Sequence, residues 1–198
     1  MKISKAFVIT LPDSPRKSRW DKVITPEITL WPAVDARYSS ADALAKYNFN
    51  LQPTGQWTTR HGKDHSGYFS KWPGGVGVYL SHWLVWNNIK NSDPGWFLIL
   101  EDDVIIEDVM DFINNGISIK PQTNIVNLNK RGWNGAEAYL INNETSDMLI
   151  SITNQTITAP VDVFMFYYAG PCKADPRFKH EHHRIIGLDK KLPSQIQI

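Results

Sequence analysis

Trp96-Phe97-Leu98-Ile99-Leu100-Glu101-Asp102-Asp103-Val104 is a strongly apolar run that stops at three consecutive carboxylates. Its apolar part shows no alternation, which predicts a strand covered by helices on both faces, the usual condition of a parallel sheet. Asp93-Pro94-Gly95 supplies the turn before it, and Ile105-Ile106 carry the chain back into the interior. Ala6–Leu11 reads the same way, as a buried strand. The acids therefore stand at the carboxyl end of a central strand, where ligands of open α/β sheets gather.

Working outward, Asp13 or Ser14 with Pro15 predicts a helix start, the helix running to about Val23. Ile28–Trp31 predicts a second strand, Pro32–Asp35 its loop, and Ser40 the cap of a brief helix through Lys46. Residues 47–73 are polar, glycine-spotted and aperiodic, which predicts a flexible lid. Gly74, Gly75 and Gly77 open a helix to about Asn91, buried along Val78, Leu80, Leu84, Val85 and Ile89. A helix at Asp108–Ile113, strands at Asn124–Leu128 and Ala136–Ile141, and a helix capped by Asn142 or Asn143 to Ile152 follow. Val161–Tyr168 is ambiguous, and the last thirty or so residues are basic, histidine-bearing and weakly patterned. The expected fold is a single α/β domain over residues 1–198, Rossmann-like, with a mainly parallel central sheet flanked by helices.

Charge and composition narrow the functions. With 21 basic and 20 acidic residues the chain has no field that argues for nucleic acid or an anionic membrane. The N-terminal apolar run is too short for a secretory signal or a spanning helix, and the single cysteine, Cys172, suits a reducing compartment. These features lead to the expectation of a cytoplasmic protein without a transmembrane segment. Eight tryptophans serve mostly the core, with Trp57 and Trp72 in the polar loop the candidates for stacking on a sugar.

Three adjacent carboxylates repel one another and lose solvent, so a positive partner is expected. A hard divalent cation, Mg2+ or Mn2+, needs only one or two of them when phosphate oxygens and water complete its shell, and Asp103 is the expected ligand. Strand alternation sends Glu101 and Asp103 to one side and Asp102 to the other. The competing reading is a solvated acidic turn capping the helix near Val104 or Asp108. Gly74, Gly75 and Gly77 lack the lysine and hydroxyl residue of a phosphate loop and read as a helix start. Ser81-His82 resembles part of a hydrolytic triad, but neighbouring helical residues face different ways, so His82 reads as structural. His180, His182 and His183 either grip one ion, with His183 as a further metal ligand, or belong to a mobile tail.

The order of motifs resembles glycosyltransferase family 25, which includes bacterial lipopolysaccharide galactosyltransferases and collagen galactosyltransferases. Phe7–Leu11 with Ser14-Pro15-Arg16-Lys17 looks like the family's opening strand and basic helix, and Trp31-Pro32-Ala33-Val34-Asp35 like its Ala-Val-Asp segment. Gly77-Val78-Tyr79-Leu80-Ser81-His82, then Leu98–Val104, is similar to its Leu-Ser-His helix and Glu-Asp-Asp turn. Ala138–Ile141 and Pro160-Val161-Asp162-Val163-Phe164 resemble its later strand and Pro-Ile-Asp-Val segment. Thr10, Lys17, Ala36 and Val76 depart from the usual family residues.

The resemblance implies a GT-A type fold and inverting transfer of a hexose from a nucleotide-sugar, a UDP-sugar in the first instance, to a glycan or glycoconjugate acceptor. It assigns the donor to Thr10, Leu11, Arg16, Lys17, Asp35, Glu101 and Asp102, and the metal to Asp103 and Glu101, with His183 added near the C-terminus. Asp102 would meet the ribose or a metal-bound water, Glu101 would brace the turn, and Asp162 would be the base. Residues 172–198 would close the site. The alternatives are a nucleotidyl or phosphoryl transferase built on the same carboxylates and an inactive carbohydrate- or nucleotide-binding module.

Overall fold

The computed structural model describes residues 1–53, 67–130, 135–166 and 175–189. The strands are β1 (Ile3–Thr10), β2 (Ile28–Pro32), β3 (Asn50–Leu51), β4 (Trp96–Glu101), β5 (Ile125–Asn129), β6 (Ala138–Asn142), β7 (Thr156–Ile157) and β8 (His180–Ile186). The helices are α1 (Lys17–Trp20), α2 (Ser40–Tyr47), α3 (Tyr68–Lys71), α4 (Gly74–Lys90), α5 (Ile106–Asn115), α6 (Asn143–Thr153) and α7 (Val161–Phe166). Six strands form the central sheet in the order β2-β1-β4-β6-β5-β8, while β3 and β7 pair as a separate small ribbon. Strand β6 runs against β4 and β5, and the other three pairings are parallel.

The continuous apolar runs are explained by two-sided burial. One sheet face sends Phe7, Ile9, Phe97, Ile99, Tyr139 and Ile141 into a core with Trp86, Leu80 and Phe164. The other sends Ala6, Val8, Leu98, Leu100, Val126 and Leu140 into a core with Trp20, Val109 and Phe112. Successive strand residues point to opposite faces, so both parities must be apolar here.

From β1 the chain crosses to β2 on one side, while β4 lies on the other, and Ile9 pairs with Glu101. A crevice therefore opens beyond the carboxyl ends of β1 and β4, the switch point of the sheet. Gly77 lets the loop after β2 close on α4, because a Cβ there would collide with the Val34 carbonyl. Ser81 Oγ accepts from Val34 N at 2.8 Å and donates to Gly77 O at 2.6 Å, which fastens the same contact.

Several elements differ from the sequence reading. Helix α1 is only Lys17–Trp20, and Ser14 Oγ, ahead of it, accepts from Arg16 N at 3.2 Å and donates to Asp102 Oδ2 at 2.6 Å. Ser39, not Ser40, caps α2 through Asp42 N. Asn142 caps α6 through Thr145 N, while Asn143 bonds Ile89 O, Ser92 O and Gly95 N and so ties α6 to the end of α4. Val161–Phe166 is helical. The C-terminal histidines, read as ligands or a tail, belong to β8, which pairs in parallel with β5. Residues 54–66, and with them Trp57 and the middle of the expected lid, lie outside the described residues, as do 131–134, 167–174 and 190–198. The ends of the expected lid that are described hold β3 and α3. No helix among the described residues is long and apolar enough to cross a membrane.

Candidate active site

The three acids that close β4 and its turn, Glu101, Asp102 and Asp103, have different surroundings. Asp102 turns toward β1 and α1, where Oδ2 accepts from Thr10 Oγ1 at 2.7 Å and Ser14 Oγ at 2.6 Å, and Oδ1 from Arg16 Nη1 at 3.1 Å. Its backbone carbonyl accepts from Trp20 Nε1 at 3.1 Å. Both carboxylate oxygens thus carry protein donors, and the ion pair is buried, with side-chain exposures of 4% and 9%. Asp102 is the brace that locks β1, α1 and β4 together, and it also lines the cleft.

Glu101 turns the other way, toward α4. His82 is fully buried, and its Nδ1 lies 2.7 Å from Tyr139 Oη, its Nε2 3.4 Å from Glu101 Oε1. Trp86 Nε1, which can only donate, gives its proton to Tyr139 Oη at 2.9 Å. Burial pushes His82 down to about 3, so the ring is neutral and carries one proton. Tyr139 Oη, already accepting from Trp86, donates its O–H to Nδ1, so the ring proton sits on Nε2 toward Glu101. The chain Trp86, Tyr139, His82, Glu101 fixes the carboxylate from below.

An open cleft lies over this floor. Its lining includes Leu11, Arg16, Asp35, Arg37, His82, Glu101, Asp102 and Asp103. Arg37, missed by the sequence reading, forks onto Asp35 at 2.9 and 2.7 Å and reaches Asp13 at 2.8 Å. The Asp35–Arg37 hydrogen bonds hold Asp35 below its ordinary range and raise Arg37 further. An aspartate two residues before an arginine in a strand-end loop was the available signal, since Asp35 Oδ1 also takes Arg37 N at 3.0 Å in an Asx-type turn.

A second pocket, about 510 Å³, adjoins the first and shares Val78 and Glu101 with it. It is lined further by Tyr68, Gly75, Gly135, Glu137, Pro160 and Asp162. Carboxylates crowd here. Burial raises Glu101 well above its ordinary value, and Asp103, Asp102 and Asp162 add to it. Burial and then Glu101 push Glu137 up to about 7, and burial raises Asp162. Tyr68 is pushed up to about 12 by burial, Asp162 and Glu101.

The backbone of the acid turn is pinned by the C-terminal segment, because Asp189 N donates to Asp103 O at 2.7 Å and Ile105 N to Gly187 O at 2.9 Å. The structure thus gathers Leu11, Arg16, Asp35, Glu101, Asp102 and Asp103 in one cleft, with Thr10 beneath it on Asp102, and Asp162 in the pocket beside it. Lys17 is not brought there: its Nζ pairs with Asp21 at 3.1 Å. His183 is not either, being held by Glu181 at 3.0 Å on β8, and Trp72 lines neither pocket. Among the described residues no three His, Cys, Asp or Glu side chains form a ready metal cluster.

Residues 3–128 match the family described as glycosyltransferase family 25 (LPS biosynthesis protein), which is well over half of the chain. The chain belongs to glycosyltransferase family 25. Membership in this glycosyltransferase family makes it an enzyme of glycosyl transfer. No curated protein matches the chain significantly. Among solved structures it is similar to a glycosyltransferase involved in the glycosylation of the major capsid of PBCV-1, at 11% identity and a TM-score of 0.42, over 98% of this chain and 95% of that one. The family match covers β1 through most of β5, and so all of the first cleft and Glu101, while Glu137 and Asp162 lie beyond it.

Proposed function

We propose that this family 25 glycosyltransferase moves a hexose from a UDP-type nucleotide-sugar to a hydroxyl of a glycan acceptor, with inversion, in a GT-A type site assisted by Mn2+ or Mg2+. The observation that carries the reading is the separation of roles at one turn. Asp102 is neutralised by Arg16, whereas Glu101 and Asp103 line the cleft in a field of like charge. Carboxylate oxygens set close together on one cleft wall suit a hard divalent cation, and Asp103 and Glu101 would hold it. When bound, such an ion offsets the charge that grows on the departing diphosphate.

The protein's own groups account for the rest. Arg16 and Arg37, each paired with aspartate, place guanidinium groups on the cleft lining, and Asp35, about a third exposed, offers an oxygen to the ribose or base. His82 keeps Glu101 in place without bringing charge of its own. Asp162, buried and raised, takes the proton from the acceptor hydroxyl as that oxygen attacks the anomeric carbon from the side opposite the leaving group. Its carboxylate accepts from the Val163 N–H, which orients it.

A thermal-shift panel of nucleotide-sugars with and without manganese tests this reading. A ligand that binds only the native state raises the melting temperature by mass action. UDP-hexoses are expected to raise it only when manganese is present, and the anomeric coupling of the product is expected to report inversion. A panel in which no nucleotide-sugar stabilises the protein would contradict it.

A further inference from the structure

Strand β5 is buried along its whole length, yet two of its residues, Asn127 and Asn129, are asparagines with 0% and 2% exposure. A primary amide inside a sheet is costly unless bonded, and both amides are directed at one target. Asn127 Nδ2 donates to Gly135 O at 2.8 Å, and Asn129 Nδ2 donates to the same carbonyl at 2.9 Å and to Glu137 Oε2 at 2.7 Å. Asn127 Oδ1 is in turn satisfied by Asn129 N at 2.9 Å. Gly135 leaves the necessary room, because a Cβ there would land on the Glu137 carboxylate. Glu137 O accepts from Glu101 N at 2.8 Å, so the residue is also registered against the acid turn.

The carboxylate held this way is in the second pocket, beside Asp162, Tyr68 and Glu101. The two pockets differ in charge. The first includes Arg16 and Arg37, while among the described residues lining the second there is no lysine or arginine. We propose that the second pocket is the acceptor subsite and that Glu137 selects an uncharged sugar there, accepting a hydrogen bond from one of its hydroxyls and repelling anionic acceptors.

The inference rests on the glycosyl-transfer reading above and adds the acceptor class. Carboxylates bind sugar hydroxyls well because an ionised acid is a pure acceptor and the bond is charge-assisted. A phosphate, sulfate or uronate would instead meet Glu101, Glu137 and Asp162 together. With no lysine or arginine among the described lining residues to offset those acids, a further negative charge is resisted. Tyr68 supplies the flat wall, kept neutral, against which a sugar ring packs.

Transfer from UDP-glucose and UDP-galactose to methyl hexosides and to the matching methyl uronates, with donor affinity and acceptor-free donor hydrolysis measured alongside, tests it. Wild-type protein is expected to prefer the neutral hexoside at least about tenfold. Glu137→Gln keeps the volume and still accepts from Asn129, and should raise the KM for the neutral hexoside about tenfold and narrow its preference over the uronate, the cost of one charge-assisted bond. Gly135→Ala, which displaces the same carboxylate, should do likewise. An unchanged acceptor KM in both variants, equal use of uronates, or refusal of every neutral hexoside by a protein that still hydrolyses donor would overturn the proposal. Failure of the wild type to bind or hydrolyse any donor is a different result: it would remove the glycosyl-transfer reading and this inference with it.

Discussion

Asp102 and Asp103 are chain neighbours with opposite electrostatic circumstances, the first locked to Arg16 in a buried pair and the second lining an open cleft beside Glu101. They should respond to mutation unequally. Asp102→Ala leaves Arg16 uncompensated in the interior and should cost about 3–5 kcal/mol of stability. Asp103→Ala removes one of the like charges that raise Glu101 and should cost markedly less in the metal-free protein. Urea unfolding of the two variants with metal removed checks this; equal losses would contradict it.

Tyr139 lies at the centre of the chain that holds Glu101. Tyr139→Phe removes an oxygen that serves both Trp86 and His82, leaving two buried nitrogens without it. The expected loss is about 1–3 kcal/mol per orphaned group, together with a fall in turnover because Glu101 loses its orientation. Chemical denaturation and single-turnover rates measure the two effects, and a fully active, fully stable variant would show that the chain holds nothing.

His82 should limit acid stability. Its folded pKa of about 3 lies below the ordinary value of 6.5, so the unfolded chain binds the proton first. The His82 contribution to stability is intact above pH 6.5 and declines as the pH drops toward 3, by about 2 kcal/mol at pH 5. His82→Gln should flatten that slope in unfolding curves between pH 7 and pH 5.

Glu137 acts in the opposite sense. Its folded value of about 7 exceeds the ordinary 4.5, so the folded state holds the proton more tightly and stability is lost as the pH rises from 4.5 through 7. Glu137→Gln should therefore gain about 1–3 kcal/mol at pH 8 and nothing near pH 4. Melting temperatures at the two pH values decide it, and a variant destabilised at pH 8 would contradict the assignment.

The sheet was readable from residues whose local pattern and tertiary role agree. Trp96–Leu100 is apolar at every position because cores lie on both sides, and the acids that follow announce the carboxyl end of the strand. Strand β8 was hidden because His180–Arg184 is polar, and its pairing with β5 lies far away in sequence. The division of labour within the acid turn was likewise illegible. That Asp102 braces depends on Thr10, Ser14 and Arg16 arriving from β1 and α1, about ninety residues earlier. Glu137 carried no local signal, being one acid among small apolar residues; its meaning comes from the antiparallel pairing of β6 with β4 and from two buried asparagines on β5. Arg37 was visible as a residue but not as a wall of the cleft, which requires Gly77 to bring the β2 loop onto α4.

Glu101 and Asp103 are proposed to host a divalent cation under the diphosphate of a nucleotide-sugar. Calorimetric titration of UDP-galactose and UDP-glucose into wild-type and Asp103→Ala protein, each with and without manganese, tests it most directly. Manganese-dependent binding in the wild type, lost in a variant that keeps its fold, is the predicted result, and undiminished manganese-dependent affinity in Asp103→Ala would contradict it.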